Sequence, residues 1–324
     1  MKTPDFWAAN QGGVKAVFAM PISLVYKYFS EKRARQMPSW KAPIPVICIG
    51  NLTLGGAGKT PTAQALGRLI KDKLSKNPIY LSRGYGGTIQ KTVILTDESA
   101  DEAGDEPLLL KQVAPVCISP DRTKGAKVCA ENHYDVIIMD DGFQNPTLYK
   151  DLNILVIEGA YGLGNQHIFP AGPLRESLEN ALKRTDCVLI IGDDLHKISD
   201  QILTLKPDQL IVFASQNARS GHELAGQPVL AFAGLARPEK FFETLNGLGA
   251  RIVKKISYPD HYAYKTNDLE DLVEQSVQLG LKLVCTEKDW VKLPSEFQKK
   301  VSVVKIELLW QKEEHVIDKL KQLF

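Results

Sequence analysis

The sequence predicts an α/β protein with a largely parallel β-sheet that helices cover on both faces. Short runs rich in Val, Ile and Leu recur along the chain, and helical patterns separate several of them. One of these runs leads through a glycine-rich turn into a helical pattern. The length of 324 residues, with 44% hydrophobic and 24% charged residues, suits one large or two medium domains. The net charge of +2 does not suggest a nucleic-acid partner.

An unusual apolar segment lies near the start of the chain, at residues 16–26. It carries no charge and contains Pro21. It is far shorter than the about 20 residues that a membrane-spanning helix needs. Two alternatives remain, a helix in the membrane interface or a helix docked on the body of the protein. Basic residues flank the segment: Lys15, Lys27, Lys32, Arg33 and Arg35.

The glycine-rich turn lies between a predicted strand at 46–49 and a predicted helix at 62–70. In that order the three elements form a cradle for a phosphate group, because backbone N–H groups and a helix N-terminus favour an anion. Lys59 is expected to reach the β- and γ-phosphates of a nucleotide, and the Thr60 hydroxyl to bind Mg²⁺. Thr53 stands where the strict pattern has glycine. The sequence therefore predicts a P-loop NTPase-type domain, with these nucleotide-binding residues: Thr53, Leu54, Gly55, Gly56, Ala57, Gly58, Lys59 and Thr60.

Polar residues follow several further predicted strands, and sites in parallel sheets cluster at such carboxyl ends. Asp140 and Asp141 follow the strand at 136–139, where a nucleotide-binding sheet places the carboxylate that holds Mg²⁺. A chance acidic turn is the alternative. Arg83 follows another strand in a glycine-rich loop, where a solvated arginine is the alternative. The further strands are predicted at 79–82, 92–95, 116–119, 136–139, 154–158 and 187–192, and helices at 108–113 and 124–132.

Two other segments carry candidate site residues. In the acidic loop at 97–107, Asp105 can cap the following helix, and the alternative function is that one of the loop's carboxylates accepts a proton from a hydroxyl acceptor. The turn-rich segment at 170–176 offers Arg175 and Glu176 to an anionic substrate, and a guanidinium fork suits phosphate oxygens.

A domain boundary is predicted near 215–227, where polar residues interrupt the apolar pattern. Beyond it, strand, helix, strand, helix and strand patterns predict a smaller second α/β domain. His261 lies in one of its loops and is either a surface residue or part of a cleft between the domains.

Together these motifs resemble the tetraacyldisaccharide 4'-kinase family over nearly the whole chain. The matching stretches occur in family order at 50–53 with 55–61, 81–86, 104–107, 140–144, 170–176, 260–261 and 286–289. Asn145 departs from the His that many members have at that position.

The resemblance implies an N-terminal membrane-associated helix (1–40), a P-loop domain (41–215) and a smaller C-terminal α/β domain that closes over the site (216–324). It implies transfer of the γ-phosphate of ATP, with Mg²⁺, to the 4'-hydroxyl of tetraacyldisaccharide 1-phosphate in lipid A biosynthesis. The expected location is the cytoplasmic face of the bacterial inner membrane.

The resemblance also implies roles for single residues. Asp105 is expected to be the catalytic base and His261 its partner, while Lys59 and Asp141 serve catalysis. Thr60 and Asp140 are expected to bind the metal. The substrate-binding residues are expected to be Arg83, Arg175 and Glu176.

Two other functions remain open. A P-loop nucleotide switch or metallochaperone-type GTPase is the first, because residues 286–289 are a variant of the guanine-binding pattern with its lysine one place late. A non-catalytic ATP-binding protein at the membrane surface is the second.

Overall fold

The computed structural model describes residues 4–9, 11, 13–34 and 36–324, so Arg35 lies outside the described residues. Thirteen strands are present in that part of the chain. They are β1 (Val46–Asn51), β2 (Pro78–Ser82), β3 (Val93–Ile94), β4 (Val116–Ile118), β5 (Val136–Asp140), β6 (Leu152–Glu158), β7 (Cys187–Ile191), β8 (Leu210–Ala218), β9 (Pro228–Ala233), β10 (Arg251–Ser257), β11 (Lys282–Thr286), β12 (Ser302–Val304) and β13 (Ile306–Trp310).

Twelve α-helices accompany these strands in the described residues, with short 3₁₀ turns at Asp5–Trp7 and His222–Leu224. They are α1 (Gly13–Ala34), α2 (Lys59–Leu74), α3 (Ala100–Ala103), α4 (Asp105–Lys111), α5 (Arg122–Glu131), α6 (Leu178–Leu182), α7 (Ile198–Leu205), α8 (Glu239–Gly247), α9 (Thr266–Gln278), α10 (Glu287–Trp290), α11 (Ser295–Gln298) and α12 (Glu313–Lys321).

The larger of two sheets has nine strands in the order β13-β8-β7-β6-β1-β5-β2-β4-β3. All pairings are parallel except β3 with β4 and β13 with β8. Alternate residues of β1 pack in opposite directions, Ile47 and Ile49 in the layer with α2 and α12, and Val46 and Cys48 in the layer with α5, α6 and α7. The predicted parallel sheet with helices on both faces is confirmed.

The smaller sheet has four parallel strands in the order β10-β9-β11-β12. The bounds expected for the two domains, 41–215 and 216–324, stay a prediction. Strand β8 extends to Ala218, and after the small sheet the chain returns through β13, which pairs with β8, and α12, which packs on α2. The backbone pairing of β13 at the sheet edge and the burial of Val316 and Leu320 explain this return.

Helix α1 continues through Pro21 and touches the body of the protein along one narrow face. Ser23 is buried and its Oγ accepts a hydrogen bond from Ala171 N (2.9 Å), while Ser30 Oγ donates to Arg175 O (2.8 Å). Among the described residues, no helix is both long enough and apolar enough to cross a bilayer.

Candidate active site

The phosphate loop connects the end of β1 to the first turn of α2. Gly58 adopts φ 85°, and a Cβ there would lie 2.6 Å from Ile191 Cδ1, so the turn into the helix requires glycine. Asn51 Nδ2 donates to Thr53 O (2.7 Å), and Lys59 Nζ donates to Asn51 Oδ1 (3.3 Å). A Cβ added at Gly55 or Gly56 would meet no atom within 4 Å. The loop is therefore held by Asn51, and the space beside Gly55 and Gly56 is open.

Two carboxylates flank this loop at the end of β5, the strand beside β1. Asp140 pairs in register with Ile49 and is 3% exposed, and its Oδ1 has no hydrogen-bond partner among the described residues. Burial, reinforced by the charge of Glu106 and opposed by Lys59, raises the pKa of Asp140 to about 7. A buried carboxylate oxygen without a donor suits a cation, which would favour the ionised form.

The part of the chain that the structure describes contains no group of three acidic, His or Cys side chains that could hold a metal alone. Mg²⁺ commonly binds through one or two protein ligands together with water and phosphate oxygens. Asp140 and the Thr60 hydroxyl fit that mode, while Asp141 faces the cations of the site instead.

Arg175 lies at the same end of the sheet, next to Asp141. Its Nη1 is 3.3 Å from Asp141 Oδ1 and donates to Gln144 Oε1 (3.3 Å), while Lys59 Nζ lies 3.8 Å from the same Asp141 oxygen. Asp141 therefore holds two cations, Lys59 and Arg175, near the mouth of the phosphate loop. Its backbone adopts φ 49°, which turns the chain sharply after β5.

Asp105 begins α4, which packs against α2 through a hydrogen bond from Gln64 Nε2 to Leu109 O (2.8 Å). The preceding Gly104 adopts φ 88°, and a Cβ there would lie 2.4 Å from Tyr85 O. His261 Nδ1 lies 3.0 Å from Asp105 Oδ2, although the two residues are 156 positions apart. The carboxylate from the large domain thus meets an imidazole from the small domain.

Lys288, from α10, completes this group. Its Nζ lies 3.3 Å from His261 Nε2, 3.2 Å from Asp260 Oδ1 and 3.7 Å from Asp105 Oδ2. An ammonium that donates to Nε2 requires this nitrogen to be unprotonated, so Nδ1 then carries the proton and donates it to Asp105. Lys288 therefore favours neutral His261 in one tautomer.

The interactions in this group shift the pKa values of Asp105 and His261 in opposite directions. Burial alone would raise the pKa of Asp105, but the hydrogen bond from His261 and the charge of Lys288 hold it below its usual value. The hydrogen bond with Asp105 raises the pKa of His261, while burial and Lys288 oppose that rise. Asp105 is therefore ionised near neutral pH, and the protonation of His261 depends on the balance of Asp105 and Asp260 against burial and Lys288.

The site lies where the carboxyl ends of the parallel strands in the two sheets face each other. Asn51, Asp140 and Glu158 lie at the ends of β1, β5 and β6 in the large sheet. In the small sheet, the segments just after β9, β10 and β11 carry Arg237, His261 and Lys288 respectively. Parallel strands carry ligand sites at their carboxyl ends, and here two such edges enclose one site.

The comparisons with known proteins identify the family. The model of the family described as "LpxK: Tetraacyldisaccharide-1-P 4'-kinase" matches residues 15–324. The chain belongs to this family.

Individual relatives agree with this assignment. A tetraacyldisaccharide 4'-kinase of Methylorubrum extorquens is 40% identical over 326 residues, covering 100% of this chain and 99% of that protein. One from Methylobacterium nodulans is 44% identical over 301 residues, covering 91% and 88% of the two chains. The crystal structure of LpxK from Aquifex aeolicus in complex with ATP superposes with a TM-score of 0.77 at 28% identity and covers 96% of this chain and 100% of that chain.

The fold that this chain shares with its family brings most of the predicted site residues together. Lys59, Thr60, Asp140, Asp141 and Arg175 surround the loop, and Asp105 meets His261.

The other two predicted substrate-binding residues differ in their exposure. Arg83 follows β2, is exposed, and forms no hydrogen bond or ion pair with another described residue. Glu176 is 1% exposed, and its Oε1 is bound by Gln144 Nε2 (3.2 Å) and Arg184, so the carboxylate supports its neighbours from inside the fold.

The sequence-based interpretation did not assign roles to Asn51, Gln144 or Lys288, although all three lie within the matching stretches. Lys288 and Asp289 also belong to the variant guanine-binding pattern at 286–289. The structure removes the support for that pattern, because Asp289 is 0% exposed and its carboxylate binds Gly234 N (3.1 Å), the Tyr264 hydroxyl (2.8 Å) and Thr286 Oγ1 (2.7 Å). Asp289 therefore links the segments that follow β9 and β11, and its carboxylate is not free to recognise a base.

Proposed function

We propose that the chain is a kinase that transfers the γ-phosphate of ATP to the 4'-hydroxyl of tetraacyldisaccharide 1-phosphate. The observation that carries the proposal is the pair Asp105–His261, formed between the two domains beside the phosphate loop (3.0 Å). Family membership supplies the substrate class, and the ATP complex of the Aquifex aeolicus relative supports the nucleotide.

The proposed mechanism assigns each step to a group of this chain. Asp105 accepts the proton of the 4'-hydroxyl, and the hydroxyl oxygen bonds to the γ-phosphorus. The bond between this phosphorus and the bridging oxygen breaks, and its electron pair stays on ADP. Lys59 and the backbone N–H groups of residues 55–60 neutralise charge on the phosphate oxygens. Asp140 and Thr60 would hold Mg²⁺, which supplies further charge neutralisation.

Arg175 is proposed to act at the transferring phosphoryl group. Its guanidinium shares Asp141 with Lys59, the residue expected at the β- and γ-phosphates. The acceptor already carries one phosphate, which needs a separate binding site. Arg83, exposed after the end of β2, is the candidate residue for that site.

Helix α1 is proposed to lie in the membrane interface at the cytoplasmic face of the inner membrane. The side away from the docked Ser23 and Ser30 presents a broad apolar surface, on which Phe18 is 80% exposed. Its members are Val14, Val17, Phe18, Ile22, Leu24, Val25, Tyr28 and Phe29. An apolar face of this size on a helix with basic flanks suits a lipid interface.

Sedimentation with anionic phospholipid vesicles tests the role of α1. Phe18→Glu should lower the bound fraction severalfold, since it places a charge on the apolar face. Val277→Glu, at a position that is 74% exposed on α9, is the matched control and should bind as the wild type does. Equal loss in both variants, or in neither, would refute the interfacial assignment.

Mass spectrometry of the lipid, after incubation with Mg·ATP and tetraacyldisaccharide 1-phosphate in detergent, tests the reaction. The expected result is a gain of one phosphate that Lys59→Ala abolishes and Lys73→Ala retains. Lys73 lies near the other end of α2 and pairs with Glu313 (3.7 Å), so it controls for charge loss on the same helix. Binding of ATP without lipid phosphorylation would contradict the proposed acceptor.

A further inference from the structure

Arg237 lies in the turn between β9 and α8 and reaches across to the phosphate loop. Its Nη2 donates to Gly56 O (3.0 Å), a carbonyl 181 positions earlier in the chain. Gly56 is in the middle of the loop, and a Cβ added there would meet no atom within 4 Å. A guanidinium from the segment after β9 therefore lies against the phosphate loop, where the space beside Gly56 is open.

The surroundings of Arg237 hold it there and leave part of its guanidinium available. Glu158, the last residue of β6, accepts a second bond from the same Nη2, and the guanidinium carbon lies 5.5 Å from the centre of the Tyr161 ring. Within the described residues, Nη1 and Nε have no acceptor. Arginine keeps its charge at all physiological pH values, and its fork of donors matches phosphate oxygens.

We propose that Arg237 is a catalytic residue that the small domain delivers to the phosphoryl group being transferred. The inference rests on the proposed function. As the bond between the γ-phosphorus and the bridging oxygen breaks, negative charge grows on that oxygen and remains on the three γ-oxygens. The free Nη1 and Nε donors neutralise this charge, while Nη2 stays on Gly56 O and Glu158. Delivery from the second domain makes this stabilisation depend on closure.

The simpler explanation for these contacts is a latch that ties the two domains together. Lys240, in the first turn of α8, also pairs with Glu158, and no contact between Lys240 and the phosphate loop is found in the described part of the chain. Lys240 therefore offers a matched control, because Lys240→Ala weakens the contact between the domains and leaves the guanidinium at the loop.

The experiment compares Arg237→Ala, Arg237→Lys and Lys240→Ala by kcat for lipid phosphorylation and by the calorimetric Kd for Mg·ATP. Cognate arginines contribute about 10³–10⁵ in kcat in other phosphoryl-transfer enzymes. Arg237→Ala should lower kcat at least about 100-fold, with Kd changed less than about threefold. Arg237→Lys should recover little, since a point charge lacks the fork. Lys240→Ala should keep kcat within about threefold of the wild type.

The effect of added guanidinium ion on kcat distinguishes a catalytic role from a purely structural contact between the domains. The added ion should restore part of the kcat of Arg237→Ala and leave Lys240→Ala unchanged. Unchanged kcat in Arg237→Ala, a loss carried entirely by Kd, or an equal loss in Lys240→Ala would overturn the proposal.

Release of inorganic phosphate from ATP without the lipid is measured in parallel. A wild type that hydrolyses ATP and phosphorylates no lipid would contradict the proposed function. In that case, the rates of phosphate release by the Arg237 and Lys240 variants would still decide the role of Arg237.

Discussion

Replacing Lys288 by Met should move the acidic limb of the pH profile of kcat/KM to higher pH. Asp105 is the stronger base when its partner His261 is neutral, so kcat/KM rises with pH as His261 loses its proton. The hydrogen bond with Asp105 raises the pKa of His261, which places this limb above the usual value of histidine. Lys288 opposes the rise. Removing its charge makes protonated His261 more stable, and the limb moves upward.

The distance between the charges sets the size of the shift. Lys288 Nζ lies 3.3 Å from His261 Nε2. At the dielectric constant of water, two unit charges at that distance repel by about 1.3 kcal/mol. Since 1.36 kcal/mol corresponds to one pKa unit, the limb should move by about one unit. The side chain of His261 is 30% exposed, so solvent screens the repulsion and the dielectric constant of water is the appropriate one.

The assay is the pH dependence of kcat/KM for lipid phosphorylation. Lys288 stays protonated over the range, because Asp105 and Asp260 raise its pKa against the opposing effect of burial. Lys282→Met removes the same charge at the opposite end of β11 and should leave the limb in place. A fall in rate with no movement of the limb, or movement to lower pH, would refute the electrostatic role of Lys288.

Three further results are expected. Asp105→Ala and His261→Ala should not add, because they act as one unit (3.0 Å apart), and the double variant should be about as slow as the slower single variant. Gly104→Ala should lower the unfolding free energy by about 1–3 kcal/mol in denaturant titrations, because its φ is 88°, whereas Gly247→Ala, whose Cβ would meet no atom within 4 Å, should not lower it. ATP hydrolysis without the lipid should be slow compared with phosphorylation, since closure excludes water; a comparable rate would argue against closure.

The sequence was most informative where one short segment carries a whole site. Strand, glycine turn and helix are contiguous from β1 to α2, so the loop and the roles expected of Lys59 and Thr60 follow from local chemistry. Asp140 was predictable for the same reason, as the polar end of a buried strand. The pairing of Asp105 with His261 followed from the family resemblance, because nothing local connects residues 156 positions apart.

What the sequence missed depends on contacts between distant segments. The return of β13 to the large sheet is decided by hydrogen bonding to β8 at its edge, which the pattern of residues 306–310 does not specify. Glu176 looked available to a substrate, yet Arg184 and Gln144 bind its carboxylate inside the fold. A charge in a loop has the same local signature whether it faces solvent or a partner.

The small sheet carries, at one edge, residues that reach the phosphate loop and residues that reach Asp105. Its strands are all parallel, so the segments that follow them emerge at one edge. From that edge Arg237 reaches Gly56 O at the phosphate loop, while His261 and Lys288 reach Asp105. Asp289 links the segments by binding Gly234 N after β9 and Thr286 Oγ1 at the end of β11. In the proposed mechanism, Arg237 and His261 would therefore move together, and Arg237 would reach the phosphoryl group only when His261 is also in place at Asp105.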